Sequence, residues 1–225
     1  MSACDLYVTG TDTGVGKTLV SAALLHALRA RGLRAVGMKP VASGCERTAE
    51  GWRNEDALAL RAASDPRPSY ADVNPYPLPA ATAPQLAARE ADIAIAPAPL
   101  LAAHARLAAT ADRVVVEGVG GWLAPFADGF EQSQLVHALQ LEVVLVVGLR
   151  LGCLSHARLS ARAIAADGCR LVGWIGSGIE PDFDRDGAYA QLLRDALPAP
   201  CLGVLPHMQP PDAVAAARTL TWPPP

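Results

Sequence analysis

"VTGTDTGVGKT", residues 8–18, ends the way a phosphate-binding loop ends, with Gly16-Lys17-Thr18 running into a helix-forming stretch. The common motif sets a glycine five residues before the Gly of Gly-Lys-Thr. Here that position is Thr11, and the nearest earlier glycine, Gly10, lies one step further back. The loop is longer than the common form, which raises the question of what it holds besides phosphate. Upstream, residues 6–9 are a short apolar run that reads as a strand. Downstream, 18–31 reads as a helix stopped by Gly32, a residue suited to the left-handed cap. Strand, glycine-rich loop and helix in that order bring free backbone N–H groups and the positive end of a helix to one point, which makes an anion site. The N–H groups of Gly14, Val15, Gly16 and Lys17 would surround phosphate oxygens. Lys17 would bridge the outer phosphates, and the Thr18 hydroxyl would ligate Mg²⁺.

Working outward, further strands are expected at 35–39, 113–117, 142–148, 170–175 and 201–205. Most are continuous apolar runs rather than alternating ones, the pattern of parallel strands covered on both faces. Helices are expected from Asn54, a plausible N-cap, and over 155–166, ending near Gly168. This alternation predicts an α/β fold, a doubly wound, mostly parallel sheet with P-loop nucleotide-binding architecture, in a single domain over 1–225. The Pro-rich span 66–99 reads as surface loop with two short helices, and 222–225 as a frayed tail.

The chain has 225 residues, 51% of them hydrophobic, and a formal net charge of −3. There is no basic surplus to hold nucleic acid or an acidic membrane surface. No apolar run approaches the roughly 18 residues of a membrane span, and the N-terminus lacks the pattern of a signal peptide. A cytoplasmic protein is expected. The five cysteines form no Cys-x-x-Cys pair, which suits reduced thiols, and the scattered histidines show no zinc spacing.

In an open parallel sheet, ligands bind beyond the carboxyl ends of the strands, and three further motifs fall at such ends. "KPVASG" (39–44) follows the second strand; by itself, Lys39 reads most simply as a solvated surface lysine. "RNEDALAL" (53–60) places Asp56 in the first turn of a helix, where a carboxylate commonly serves only the helix dipole. "VVVEGVGGW" (114–122) runs an apolar strand into Glu117 and then three glycines in four residues. A carboxylate there, facing a P-loop, is where P-loop enzymes put a second magnesium contact. Mg²⁺ takes hard oxygen ligands and usually only a few from protein. Thr18, Asp56 and Glu117 supply such a set, so the motifs together point to ATP·Mg binding.

Over nearly its whole length the chain resembles the dethiobiotin synthetase family. The resemblance is carried by "VTGTDTGVGKT", "GMKPVASG", "RNEDALAL", "VNPYPL", "VEGVGGW", "VVGLRLGC" and "LVGW", in the family's order and approximate spacing. The family's own P-loop has the longer form, which accounts for the spacing at Thr11. The resemblance implies an ATP-dependent ring closure of 7,8-diaminononanoate with CO₂ in a homodimer. It implies that residues 14–19, Leu19 included, bind phosphates, with Gly118, Val119 and Gly120 also at the nucleotide. Lys39 with Lys17 would be catalytic, and Thr13 and Ser43 would touch the substrate. The segment 149–156, with Leu151, Gly152, Cys153 and Ser155, would reach the partner subunit's substrate carboxylate. Ser177, Gly178, Pro206, His207 and Met208 would line the base.

Three positions depart from the family pattern. Arg150 and Ser155 stand where a lysine and an asparagine are often found, and both still donate hydrogen bonds. Ser177-Gly178 stands where many members have Asn-Asp, so a side-by-side amide donor and acceptor for adenine is missing. Two other readings remain open on the P-loop alone. Switch-type ATPases of the partitioning kind carry a lysine five residues before the P-loop lysine; here that position is Asp12. Amide-forming ligases on a related fold normally add a glutaminase domain, for which this length leaves no room.

Overall fold

The computed structural model describes residues 4–184 and 186–221; the tail at 222–225 lies outside the described residues. The chain opens with β1 (Leu6–Gly10), α1 (Lys17–Arg29) and β2 (Ala35–Met38). Four short strands and four helices follow: β3 (Val41–Ala42), β4 (Glu46–Thr48), β5 (Gly51–Arg53), α2 (Glu55–Ala63), α3 (Tyr70–Val73), β6 (Tyr76–Pro77), α4 (Pro84–Glu90) and α5 (Pro97–Ala108). The second half runs β7 (Arg113–Gly121), α6 (Gln132–Leu139), β8 (Glu142–Gly148), α7 (Cys153–Ala166), β9 (Leu171–Ser177), α8 (Ala188–Ala196), β10 (Cys201–Leu205) and α9 (Ala213–Ala217).

Six strands form one sheet in the order β10-β9-β8-β1-β7-β2, every neighbouring pair parallel. The continuous apolar runs have the cause expected of them: successive side chains are buried on opposite faces. Leu6, Val8 and Val115 pack with α1 and α2, while Tyr7, Val114 and Val116 pack with α5 and α6. A third cluster joins Leu145, Val147 and Trp174 to α7 and α8. Helices therefore cover both faces, the doubly wound α/β arrangement. β1 lies between β7 and β8, so connections from this centre leave in both directions and open a crevice at the carboxyl ends.

The six expected strands agree with those observed to within a few residues, but β7 runs past its expected end at 117 and on to Gly121. It continues because Gly121 still pairs with Gly10 beside the P-loop. Helix α1 begins at Lys17 and α7 at Cys153, each earlier than its expected start and each entered through a left-handed glycine. The span 66–99 holds the two short helices α3 and α4, and also β6 and the start of α5. Two prolines at the head of α5 cost it little, because the first turn of a helix needs no N–H partners. β3 pairs with β6, and β4 with β5 as a hairpin, outside the main sheet. Among the described residues the cysteines are free, and burial pushes the Cys45 thiol up to about 11. No helix among them is long and apolar enough to cross a membrane.

Candidate functional site

At the carboxyl end of β1 the chain turns through Gly14 and Gly16, both at positive φ, into α1. Gly16 is the N-cap with φ 87°, and a Cβ there would lie 2.5 Å from Ser177 Oγ, so only glycine fits. Helix α1 has no side-chain cap and no acidic residue in its first turn. Its leading N–H groups are left for a ligand, and anions are favoured there. Val15 is buried in the core and Leu19 packs against it, so these two face a ligand only through their backbone.

Beside this loop lies a cleft of about 830 Å³ lined by Thr13, Gly14, Gly16, Lys17, Thr18, Lys39, Ser43, Asp56, Glu117, Val119 and Gly120, among others. The Thr18 hydroxyl has one proton and two acceptors within reach, Asp56 Oδ1 at 2.7 Å and Glu117 Oε1 at 3.0 Å. Lys39 Nζ donates to Glu117 Oε1 at 2.5 Å and pairs with Asp56 Oδ2 at 3.0 Å. Its side chain is 5% exposed and that of Glu117 0%. The simple reading of Lys39 as a solvated surface lysine is thereby corrected: β2 delivers it straight into the crevice.

Burial disfavours the Lys39 ammonium, but Glu117 and Asp56 outweigh it and hold the group above its usual value. Burial likewise disfavours the Asp56 carboxylate, yet Lys39 and the Thr18 hydroxyl hold it below its ordinary range. Lys17, whose Nζ donates to Asp12 O at 2.8 Å, is brought down to about 8 by burial and then by Lys39. Two cations and two carboxylates thus face one another with little net charge between them.

Mg²⁺ fits this donor set. Thr18, Asp56 and Glu117 present hard oxygens at one point, and Glu117 Oε2 is buried with no hydrogen-bond partner. An orphaned carboxylate oxygen in such a place is costly unless a cation or its water completes it. Among the described residues no three His, Cys, Asp or Glu side chains cluster as a metal site. The ion would take the rest of its shell from phosphate and water, as Mg²⁺ usually does.

The loop after Glu117 is shaped by a residue the sequence did not single out. Gln132, fully buried at the start of α6, accepts from Val119 N at 3.2 Å and from Tyr7 OH at 2.5 Å. Its amide lies 2.9 Å from Gly121 O and 2.6 Å from Ala124 O. A Cβ on Gly118 would overlap Gln132 Oε1 and lie 2.6 Å from Tyr7 OH, so Gly118 closes on this bracket instead of lining the cleft.

The remaining candidates lie elsewhere. Gly178, Pro206 and His207 line a second cavity of about 350 Å³ at the ends of β9 and β10. Ser177 is 3% exposed and turned toward Gly16, and Met208 packs on the core. A Cβ at Gly178 would lie 2.6 Å from His207 N, so this backbone has no space for an acid there. Leu151, Gly152 and Ser155 sit exposed at the start of α7, while the Cys153 side chain is buried in the third cluster. None of these four lines the cleft of the same chain. Arg150 donates to Asp12 Oδ2 at 2.6 Å, and Asp12 also accepts from Thr13 N at 2.7 Å. The position that carries a lysine in switch-type ATPases is here an acid occupied by an arginine.

Comparison with known proteins bears on the family and the fold. A family model described as an AAA domain matches residues 5–214. The chain is 59% identical over 217 residues to the ATP-dependent dethiobiotin synthetase BioD of Xanthomonas euvesicatoria pv. vesicatoria, covering 96% of this chain and 97% of that protein. It is 61% identical over 210 residues to the protein of the same name from Xylella fastidiosa strain Temecula1, covering 93% of each. Among solved structures, a ParA family ATPase from Chlorobium tepidum superposes with a TM-score of 0.60 at 13% identity, covering 97% of this chain and 98% of that one. The MinC:MinD cell division complex of Aquifex aeolicus gives 0.57 at 16% identity, over 92% of this chain and 82% of that chain. At such identities the likeness is one of fold.

Proposed function

The chain belongs to the family of ATP-dependent dethiobiotin synthetases, and on that premise we propose that it closes the ureido ring of dethiobiotin. ATP is its co-substrate, and 7,8-diaminononanoate and CO₂ are its substrates. An amine of the diamine adds to CO₂ and loses a proton, giving a carbamate. Carbamate oxygen leaves poorly, so it takes the γ-phosphoryl group of ATP, forming a carbamic–phosphoric anhydride and releasing ADP. The neighbouring amine attacks the carbonyl carbon and gives up a proton, the C–O bond to the phosphoryl oxygen breaks, and phosphate departs with the ring closed.

The observation that carries this reading is Lys39, a buried ammonium held between Asp56 and Glu117 beside the P-loop. Phosphoryl transfer needs positioning and charge neutralisation more than covalent help. Lys17 and Lys39 face the phosphoryl group as it moves, and the amides of Gly14 to Thr18 hold the phosphates. Thr18, Asp56 and Glu117 would hold Mg²⁺, which supplies charge neutralisation across the phosphate oxygens. Thr13 and Ser43 orient the diamine; Ser43 Oγ is buried without a hydrogen-bond partner, which suits an incoming amine. Ring closure is intramolecular, so holding the diamine still supplies much of the acceleration. Mass-spectrometric detection of dethiobiotin from ATP, bicarbonate and the diamine tests the assignment; its absence with folded protein would remove it.

The second cavity takes the base. Ser177 points away from it, so base selection falls to the backbone around Gly178 and to Pro206 and His207. The segment at the start of α7 serves a twofold partner. Leu151 is 79% and Leu159 60% exposed, and α7 opens without a side-chain cap or an acid in its first turn. The positive end of the helix suits a carboxylate held in the partner's site. Sedimentation and activity measured over the same dilution series should show activity falling as dimer is lost. A monomer with full specific activity would rule this out.

A further inference from the structure

"VNPYPL" (73–78) has no part in the chemistry above, yet it lies against the loop that carries Lys39 and Ser43. Val73 O accepts from Lys39 N at 2.7 Å, and Asn74 Nδ2 donates to Lys39 O at 2.7 Å, so both polar groups of the Lys39 backbone are held by adjacent residues. Asn74 is 1% exposed. Its Oδ1 accepts from Tyr70 OH at 3.1 Å, and the Tyr70 oxygen in turn accepts from Asn54 N at 2.8 Å. Asn54 Nδ2 reaches Ser43 O at 3.3 Å, and its Oδ1 caps α2 by accepting from Ala57 N at 3.2 Å. Asp56 is in that first turn. The Arg53 guanidinium sits 4.2 Å from the centre of the Tyr70 ring and fixes its plane. Burial pushes the Tyr70 phenol above its ordinary value, so the hydroxyl stays protonated and donates.

This chain of contacts has one property that core hydrogen bonds ordinarily lack: its ends fall on the backbones of two site residues, Lys39 and Ser43, and on the helix turn that carries a third, Asp56. Lys39, Ser43 and Asp56 come from the end of β2, the loop after it and the start of α2. We infer that Tyr70 and Asn74 are positioning residues for the reaction, whose hydrogen-bond chain sets the spacing of Lys39, Ser43 and Asp56. The inference rests on the function proposed above for this cleft. Neither residue touches the reacting atoms. They act by keeping the Lys39 ammonium where the phosphoryl group passes, and a displacement near 1 Å at such a point costs about 10²-fold in rate.

Tyr70→Phe keeps the ring and removes the shared hydroxyl, leaving Asn54 N–H and Asn74 Oδ1 without partners. Asn74→Asp keeps the shape but has no N–H to give to Lys39 O. Ser64→Ala is the matched control. Ser64 is buried as well, and its hydroxyl accepts from Gly37 N at 2.9 Å and donates to Leu60 O at 2.7 Å, tying β2 to α2 away from the site. All three variants should melt below the wild type. Only Tyr70→Phe and Asn74→Asp should lose kcat, by about tenfold and about a hundredfold, with KM for ATP within about twofold of wild type. Wild-type kcat in both, at lowered melting temperatures like that of Ser64→Ala, would overturn the positioning role and leave the function standing. A folded wild type without turnover would overturn both.

Discussion

Replacing Lys39 with alanine is expected to lower kcat by roughly 10²–10³-fold, the loss typical of one preorganised electrostatic stabiliser. The ammonium is 5% exposed and touches both carboxylates of the site, so the substitution does more than remove a charge facing the phosphoryl group. It also takes from the buried Glu117 the ammonium hydrogen-bonded to it, and breaking such a pair commonly costs about 3–5 kcal/mol. The variant should therefore melt at a lower temperature as well. Lys39→Met, which restores packing volume, separates the two effects: it should recover part of the stability and none of the rate. Near-normal kcat in either variant would show that Lys39 takes no part in the chemistry.

Glu117→Gln and Asp56→Asn should each raise the Mg²⁺ concentration needed for half-maximal activity, Glu117 by more. The Glu117 side chain is fully buried, whereas that of Asp56 is 42% exposed, and water screens an exposed charge. A shift of about a hundredfold for Glu117→Gln and about tenfold for Asp56→Asn is in keeping with that difference. Titrating activity against Mg²⁺ checks both. Unchanged magnesium dependence in the two variants would remove them from the metal site.

The strands were legible in the sequence because a buried parallel sheet imposes continuous apolar runs, and "VVLVVG" at 143–148 has no other economical home. The loop at Gly14 and Gly16 was legible because positive φ and close approach both demand glycine. Asn54 was legible as a cap because its side chain does what that residue does before a helix. Lys39 was not, on local grounds, since lysine before proline at a strand end is ordinarily solvated; its burial comes from strand order, which brings Glu117 on β7 beside β2. Gln132, Tyr70 and Asn74 were opaque for a related reason. Gln and Asn side chains are mostly found at surfaces, and the contacts that tie these residues to the site span long stretches of sequence, 125 residues between Tyr7 and Gln132 and 35 between Lys39 and Asn74. Periodicity and local propensity carry no trace of such contacts. Nor did the hairpin β4–β5 announce itself, since β4 is exposed and β5 only half-buried.

Measuring ADP release against omission of each substrate gives the sharpest test of the proposed reaction. ParA- and MinD-like proteins share this fold, so ATP hydrolysis alone distinguishes nothing. Phosphoryl transfer to a carbamate requires that the carbamate exist, and it forms only when diamine and CO₂ are both present. Rapid ADP release should therefore appear with 7,8-diaminononanoate and bicarbonate together, and fall to background when either is left out. ADP release that proceeds at the same rate without the diamine or without bicarbonate would contradict the proposed reaction.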